Sequence, residues 1–257
     1  MRDDGGMHAH CGPEAAEKQP AHPHRRVTSF RSRRSTLTDS QQATWDRRWP
    51  AWGALARDDD DGYPQLDVPA WFHRAAPLVL EVGCGTGVST LAMAHAEPEL
   101  NVLAVEVYKK GLAQLLCAMD RDAIATGWEP NIRLIRGDGM DVLEHLVGDA
   151  TLTGVRVFFP DPWPKSRHHK RRLLQPATVA LIADRLVPGG VFHAATDHAD
   201  YAEQIGEVGA GEPRLRRVSD PDELEALPIS VHRPTTKYEA KAAVVGSPIN
   251  EFVWVRV

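Results

Sequence analysis

From Pro77 onward the chain alternates short apolar runs with longer stretches that are apolar on one side only, and this alternation decides the fold. Leu78–Val82, Asn101–Glu106, Asn131–Arg136, Val155–Phe159 and Val191–Thr196 have the length and composition of strands covered on both faces. Between them Val88–Ala96, Lys109–Thr126, a short piece at Asp141–Val147, Leu173–Leu186 and Ala199–Val208 predict helices, and Pro188-Gly189-Gly190 is expected to end the helix before it. Arg214–Val218 and Glu251–Val257 complete the set, the latter alternating Phe252, Trp254 and Arg256 with valines. Such an order builds an α/β fold, here a mostly parallel seven-stranded sheet with helices on both faces.

Upstream the pattern changes. Residues 1–24 have no apolar period and are rich in His, Pro and Gly, which predicts a disordered extension. Residues 25–52 read as a basic arm followed by a helix, Gln41–Trp52, capped at Thr38-Asp39-Ser40, and residues 53–257 as the main domain. With 257 residues, 42% of them hydrophobic, one full core is within reach. No apolar run approaches the roughly 20 residues of a membrane span and the N-terminus lacks a leader pattern, so the expectation is a cytoplasmic protein with no membrane contact. Cys11, Cys84 and Cys117 have no ligand spacing and imply reduced thiols. His8, His10, Cys11, His22 and His24 lie where no fold fixes a coordination geometry, so no metal is assigned.

A formal net charge of −5 argues against a protein that coats nucleic acid indiscriminately, yet the cations are grouped. One cluster is Arg25, Arg26, Arg31, Arg33 and Arg34; the other runs from Lys165 to Arg172. That polarisation suits one folded RNA better than a long duplex.

The second cluster belongs to the most informative stretch, FFPDPWPKSRHHKRRL, Phe158–Leu173. Asp161 stands between Pro160 and Pro162, which fix φ and lack backbone donors, so its carboxylate is presented by a stiff turn at a strand's end. Trp163 follows, suited either to stacking on a base or to packing under the corner, and the cations come directly after it. A carboxylate and an indole beside dense positive charge fit a nucleic-acid base with its phosphates.

The strand Leu78–Val82 carries Glu81 and runs into Gly83-Cys84-Gly85-Thr86-Gly87 and a helix. A dinucleotide loop wants a third glycine where Val88 stands and no negative charge at its mouth. Glu81 would repel a phosphate but attract the ammonium of S-adenosyl-L-methionine, which also carries a sulfonium and has no phosphate. Glu106, about 20 residues further on, can accept from ribose hydroxyls. Asp138, in Gly137-Asp138-Gly139-Met140, suits an adenine amino group, or caps a helix. The residues assigned to the methyl donor are therefore Glu81, Gly83, Gly85, Gly87, Glu106 and Asp138.

The motifs EVGCGTG, AVEVY, RGDGMDVL, FFPDPWPKSRHHKRRL, ATDHADYAE and TTKYEAKA, in this order, resemble those of the bacterial tRNA (guanine-N7)-methyltransferases. These belong to the enzymes with the Rossmann-like class I methyltransferase fold, and the resemblance extends from Val27 to the C-terminus. It implies methyl transfer from S-adenosyl-L-methionine to N7 of a guanosine in the variable loop of tRNA, with Asp161 as the catalytic residue, orienting the base or the methyl donor and so counted with the donor's residues too. Lys165, Asp197, Thr236, Lys237, Tyr238 and Glu239 match its substrate-contact positions. Asp197 and Glu239 would face the Watson–Crick edge of guanine, and Lys165 and Lys237 phosphate or ribose, although Asp197 is also placed to cap a helix. Guanine N7 has a lone pair and no proton to lose, so positioning outweighs base catalysis. Two other readings remain: an exocyclic-amine methyltransferase, because Asp-Pro-Trp is similar to an acidic-Pro-Pro-aromatic motif, and a non-catalytic RNA-binding protein on the same fold. The pattern is compatible with a monomer or a homodimer.

Overall fold

The computed structural model describes residues 36–58, 62–234 and 248–257. The His-rich extension, the basic arm and the stretch Thr236–Glu239 lie outside the described residues. In chain order the first half holds α1 (Asp39–Trp52), β1 (Gly53–Leu55), α2 (Val68–Phe72), β2 (Leu78–Val82), α3 (Val88–Ala96), β3 (Asn101–Glu106), α4 (Lys109–Thr126) and β4 (Ile132–Arg136). The second half holds α5 (Gly139–Asp141), which continues as a π-turn at Val142–Leu146, then β5 (Leu152–Phe158), a 3₁₀ segment at Ser166–Arg171 and α6 (Pro176–Arg185). After these come β6 (Leu186–Thr196), α7 (Ala199–Ala210), β7 (Leu215–Val218), α8 (Pro221–Glu225) and β8 (Asn250–Arg256).

The strands form one sheet in the order β1-β4-β3-β2-β5-β6-β8-β7, parallel except for β8, which runs antiparallel to both neighbours. Residues alternate between its faces as the two-residue period of a strand requires. Leu78, Leu80 and Val82 join the cluster that includes Val155, Val157, Phe192 and Trp254. Val79 turns the other way, towards Val191 and Val253. On β3, Val102 and Ala104 pack with the α4 residues Leu112, Leu115 and Leu116.

Three expectations change. The sheet has eight strands rather than seven, because Gly53–Leu55 adds a short parallel edge to β4. The Pro188-Gly189-Gly190 stretch does not end a helix; it lies inside β6, where the register against β5 shifts between Leu152 and Gly154. The helix expected from Leu173 starts at Pro176, in the first turn, where a missing N–H costs nothing. The N-terminal cap is as expected: Gln41 N donates to Thr38 Oγ1 at 3.2 Å, and Thr38 N donates to Gln41 Oε1 at 3.1 Å.

What positions the site is the reversal of strand order at β2. Its neighbours are β3 on one side and β5 on the other, so the chain leaves the carboxyl ends of β2 and β5 in opposite directions and opens a crevice there. None of the helices among the described residues is long and apolar enough to cross a membrane.

Candidate active site

The glycine loop fills one side of that crevice. Gly83, Gly85 and Gly87 have φ of 81°, 57° and 75°, values that a side chain would strain. Their surroundings differ. A Cβ on Gly87 would meet Leu115 of α4 at 2.6 Å, whereas one on Gly83 or Gly85 meets nothing within 4 Å. The loop is thus pressed against α4 on one side and faces open space on the other. Gly83 and Cys84 donate to Val105 O at 2.9 and 3.0 Å, which ties it to β3. Burial, then the charges of Glu81 and Glu106, push the Cys84 thiol well above its usual range, so it is no nucleophile.

Glu106 holds the same loop. Its Oε2 accepts from Gly85 N at 3.0 Å, and its Oε1 from Val107 N and Tyr108 N at 2.7 and 3.0 Å. A carboxylate has about four acceptor positions. With three taken by backbone amides, Glu106 has room for one ribose hydroxyl rather than two. Burial raises its pKa, the three amides pull it down, and the charge of Asp161 raises it again. Asp161 follows β5, which pairs in parallel with β2 as far as Val82 and Val157, so it leaves the sheet beside the loop.

Glu81 is buried, and its Oε2 has no hydrogen-bond partner among the described residues. Arg156 is its register neighbour on β5, but Arg156 gives its guanidinium to Glu97, 2.7 Å away, and to Ser230 O. Burial therefore raises the Glu81 pKa, with the Arg156 charge and the nearby Thr90 hydroxyl opposing it. A buried carboxylate oxygen left without a donor, beside two glycines that face open space, suits a ligand bearing an ammonium. The residues present fit S-adenosyl-L-methionine. On the opposite side of β2, Gly139 approaches Val82 so closely that a Cβ would lie 2.3 Å from Cγ1. This brings Asp138 to the crevice, where it does cap α5, accepting from Met140 N at 2.9 Å through Oδ1. Its Oδ2 takes no hydrogen bond among the described residues.

The other side of the crevice is the Pro160-Asp161-Pro162 corner. Phe159 and Trp163 bracket it with left-handed backbone, φ 51° and 43°, and Phe159 N donates to Ala195 O at 2.8 Å. Asp161 is exposed. Asp197 leaves the neighbouring strand end, also exposed, and it does not cap α7, whose first residues carry no side-chain cap. Trp163 neither enters the core nor stands free: its ring meets His168 edge-on at 5.6 Å and lies under the Arg171 guanidinium at 5.0 Å. The indole thus props the 3₁₀ segment against the corner, leaving Lys165, Arg167, Lys170 and Arg171 exposed in a row.

Arg172 departs from the sequence expectation that the whole run faces RNA. Only 1% of its side chain is exposed, and it donates to Pro162 O at 2.7 Å, to Gln204 Oε1 at 2.8 Å and to Asp200, over the ring of Tyr201. It ties the corner to α7. The two neighbouring arginines should therefore separate in experiment. Arg171→Ala should flatten the dependence of tRNA affinity on salt by about one counterion, and titrations at several ionic strengths would read this. Arg172→Ala should leave that slope unchanged and cost about 1–3 kcal/mol of stability in a denaturant melt, because a buried guanidinium that ties the corner to α7 is lost.

The structure also brings in residues that the sequence reading did not single out. Arg156 and His193 are fully buried and adjacent in register on β5 and β6, with Glu97 and Glu251 as their acidic neighbours. The signal was present as a charged or titratable residue inside an otherwise apolar strand, which needs a partner to be tolerated.

A parallel sheet with one antiparallel strand next to its edge, and carboxylates instead of a phosphate loop at its switch point, defines a class I methyltransferase. Residues 75–252 match a family model described as "Putative methyltransferase". A tRNA (guanine-N(7)-)-methyltransferase of Mycolicibacterium gilvum (strain PYR-GCK) is 62% identical over 264 residues, covering 100% of this chain and 99% of its own length. A protein of the same name from Mycobacterium avium (strain 104) is 60% identical over 266 residues, covering 100% of both. Among solved structures, the 16S rRNA methyltransferase KamB aligns with 76% of this chain and 95% of its own, at 16% identity and a TM-score of 0.49. The chain belongs to the tRNA (guanine-N(7)-)-methyltransferase family.

Proposed function

We propose that the protein methylates N7 of a guanosine in the variable loop of cytoplasmic tRNA, with S-adenosyl-L-methionine as donor. The observation that carries this reading is the placement of exposed Asp161 just beyond β5, the strand paired with β2, so that it stands beside the strand end carrying Glu81 and the glycine loop, with exposed cations starting four residues beyond Asp161. When bound, S-adenosyl-L-methionine supplies a methyl group made electrophilic by its sulfonium.

The chain's own residues do the rest. Glu81 accepts from the donor's ammonium, Gly83 and Gly85 leave room for it, and Glu106 and Asp138 each offer an oxygen position not spent on backbone. Lys165, Arg167, Lys170 and Arg171 hold tRNA phosphates, which positions without reading sequence. Asp197 accepts from the guanine Watson–Crick edge. By the family resemblance, Thr236, Lys237, Tyr238 and Glu239 add further contacts to the nucleotide. Because N7 brings no proton, Asp161 has none to remove; it orients the base and stabilises the positive charge that grows on the imidazole ring.

Incubation with labelled donor and unmodified tRNA, followed by digestion, should yield 7-methylguanosine at one position. N6-methyladenosine instead would select exocyclic-amine chemistry, and tRNA binding without label would select a non-catalytic binding protein.

A further inference from the structure

Behind the Asp161 corner lies a group of charged side chains to which the reaction as described gives no part. Arg233 is at its centre, with 5% of its side chain exposed. Its Nε and Nη2 both donate to Glu251 Oε1, at 2.9 and 2.5 Å. The guanidinium carbon lies 5.4 Å from the ring centre of Phe158 and 5.0 Å from that of Phe159. Glu251 in turn is the register partner of Ala195, whose carbonyl accepts from Phe159 N. Buried His193 meets the Phe158 ring edge-on at 4.9 Å and stands 3.7 Å from Glu251 Oε2. His193 and then Arg233 hold the Glu251 carboxyl down to about 2, so the clamp is ionised at working pH.

The residue enclosed by these contacts is Phe159, two positions before Asp161. At φ 51° it occupies a region that a bulky side chain enters only when its surroundings over-determine it. Here the backbone is pinned to β6 and the ring is covered by Arg233. Together they set the direction in which the chain enters Pro160 and hence where the Asp161 carboxylate points.

We infer that Arg233 is a positioning residue for methyl transfer: held on Glu251, it keeps Phe159 in its left-handed conformation and thereby aims Asp161. The inference rests on the role given to Asp161 above. Arginine is required because one planar group must bond a carboxylate and cover two rings at once, which the single ammonium of lysine does not do.

Arg233→Lys tests this, since it keeps the charge beside Glu251 and alters the plane; Glu251→Gln loosens the same clamp from the other side. Single-turnover methyl transfer to tRNA should slow by roughly 10- to 100-fold in Arg233→Lys, as expected for a misplaced catalytic group. Donor affinity by calorimetry should stay within about twofold, since the glycine loop is untouched. Because Arg233 acts through Asp161, the double variant Arg233→Lys/Asp161→Ala should be no slower than Asp161→Ala alone. An unimpaired Arg233→Lys, or losses that multiply in the double variant, would overturn the inference. Wild-type protein run alongside tests the methyl-transfer reading separately: an active wild type with an unimpaired Arg233→Lys removes only the clamp, while an inactive wild type removes both.

Discussion

Glu81→Gln is expected to raise the melting temperature of the ligand-free protein at neutral pH while weakening S-adenosyl-L-methionine binding by about 10- to 100-fold, the worth of one hydrogen bond to a charged group. Both effects follow from one buried oxygen without a donor. Burial raises the Glu81 pKa from its usual 4.5, with Arg156 and Thr90 opposing. A carboxylate whose folded pKa is raised contributes its stability below the unfolded pKa and loses it as pH rises through the folded value. At neutral pH the raised pKa is thus a cost to folding, one that glutamine does not carry. Arg156 keeps Glu97 as its partner in the variant. The two proteins should therefore converge in stability as pH falls through the raised folded pKa of Glu81 towards its usual 4.5. Thermal melts across pH, with calorimetry for the donor, decide the matter. A less stable variant with unchanged donor affinity would reduce Glu81 to a counter-ion for Arg156.

Asp161→Ala should lower single-turnover methyl transfer by about 10²- to 10³-fold, the scale of removing one preorganised electrostatic contact from a developing charge. Donor affinity should change by less than about threefold, because the buried acceptor and the glycine loop lie on the other side of the crevice. Asp161→Asn separates charge from shape: it keeps two polar atoms on the same corner, so most of the loss should persist if charge is what matters. Equal turnover in Asp161→Ala would withdraw the catalytic role.

Much of this site was legible because its residues are tied to backbone features that sequence displays. Gly83, Gly85 and Gly87 mark a loop with positive φ, and Glu81, Glu106 and Asp138 stand at or just beyond strand ends that an apolar pattern locates. The capping box at Thr38 and Gln41 is equally local. Arg172 was not legible, since nothing within its run distinguishes it from Arg171. Its burial is decided by Asp200 and Tyr201, brought from α7 by the fold. For the same reason Arg156 could be seen as anomalous inside its strand, but its partner Glu97, 59 residues earlier, could not be named. The edge strand β1 has only three residues, too few to show a period.

The placement of β8 has a consequence for how the molecule is made. It lies between β6 and β7 although it follows both in the chain, and it carries Trp254, which is fully buried against Phe192 at 5.2 Å. A nascent polypeptide emerging from the ribosome cannot close this half of its sheet until Trp254 has been synthesised. Until then β6 presents an unpaired apolar edge, the kind that recruits strands from other chains. A chain cut short before Asn250 should therefore aggregate rather than act as a smaller enzyme, which sedimentation of such a truncation would show.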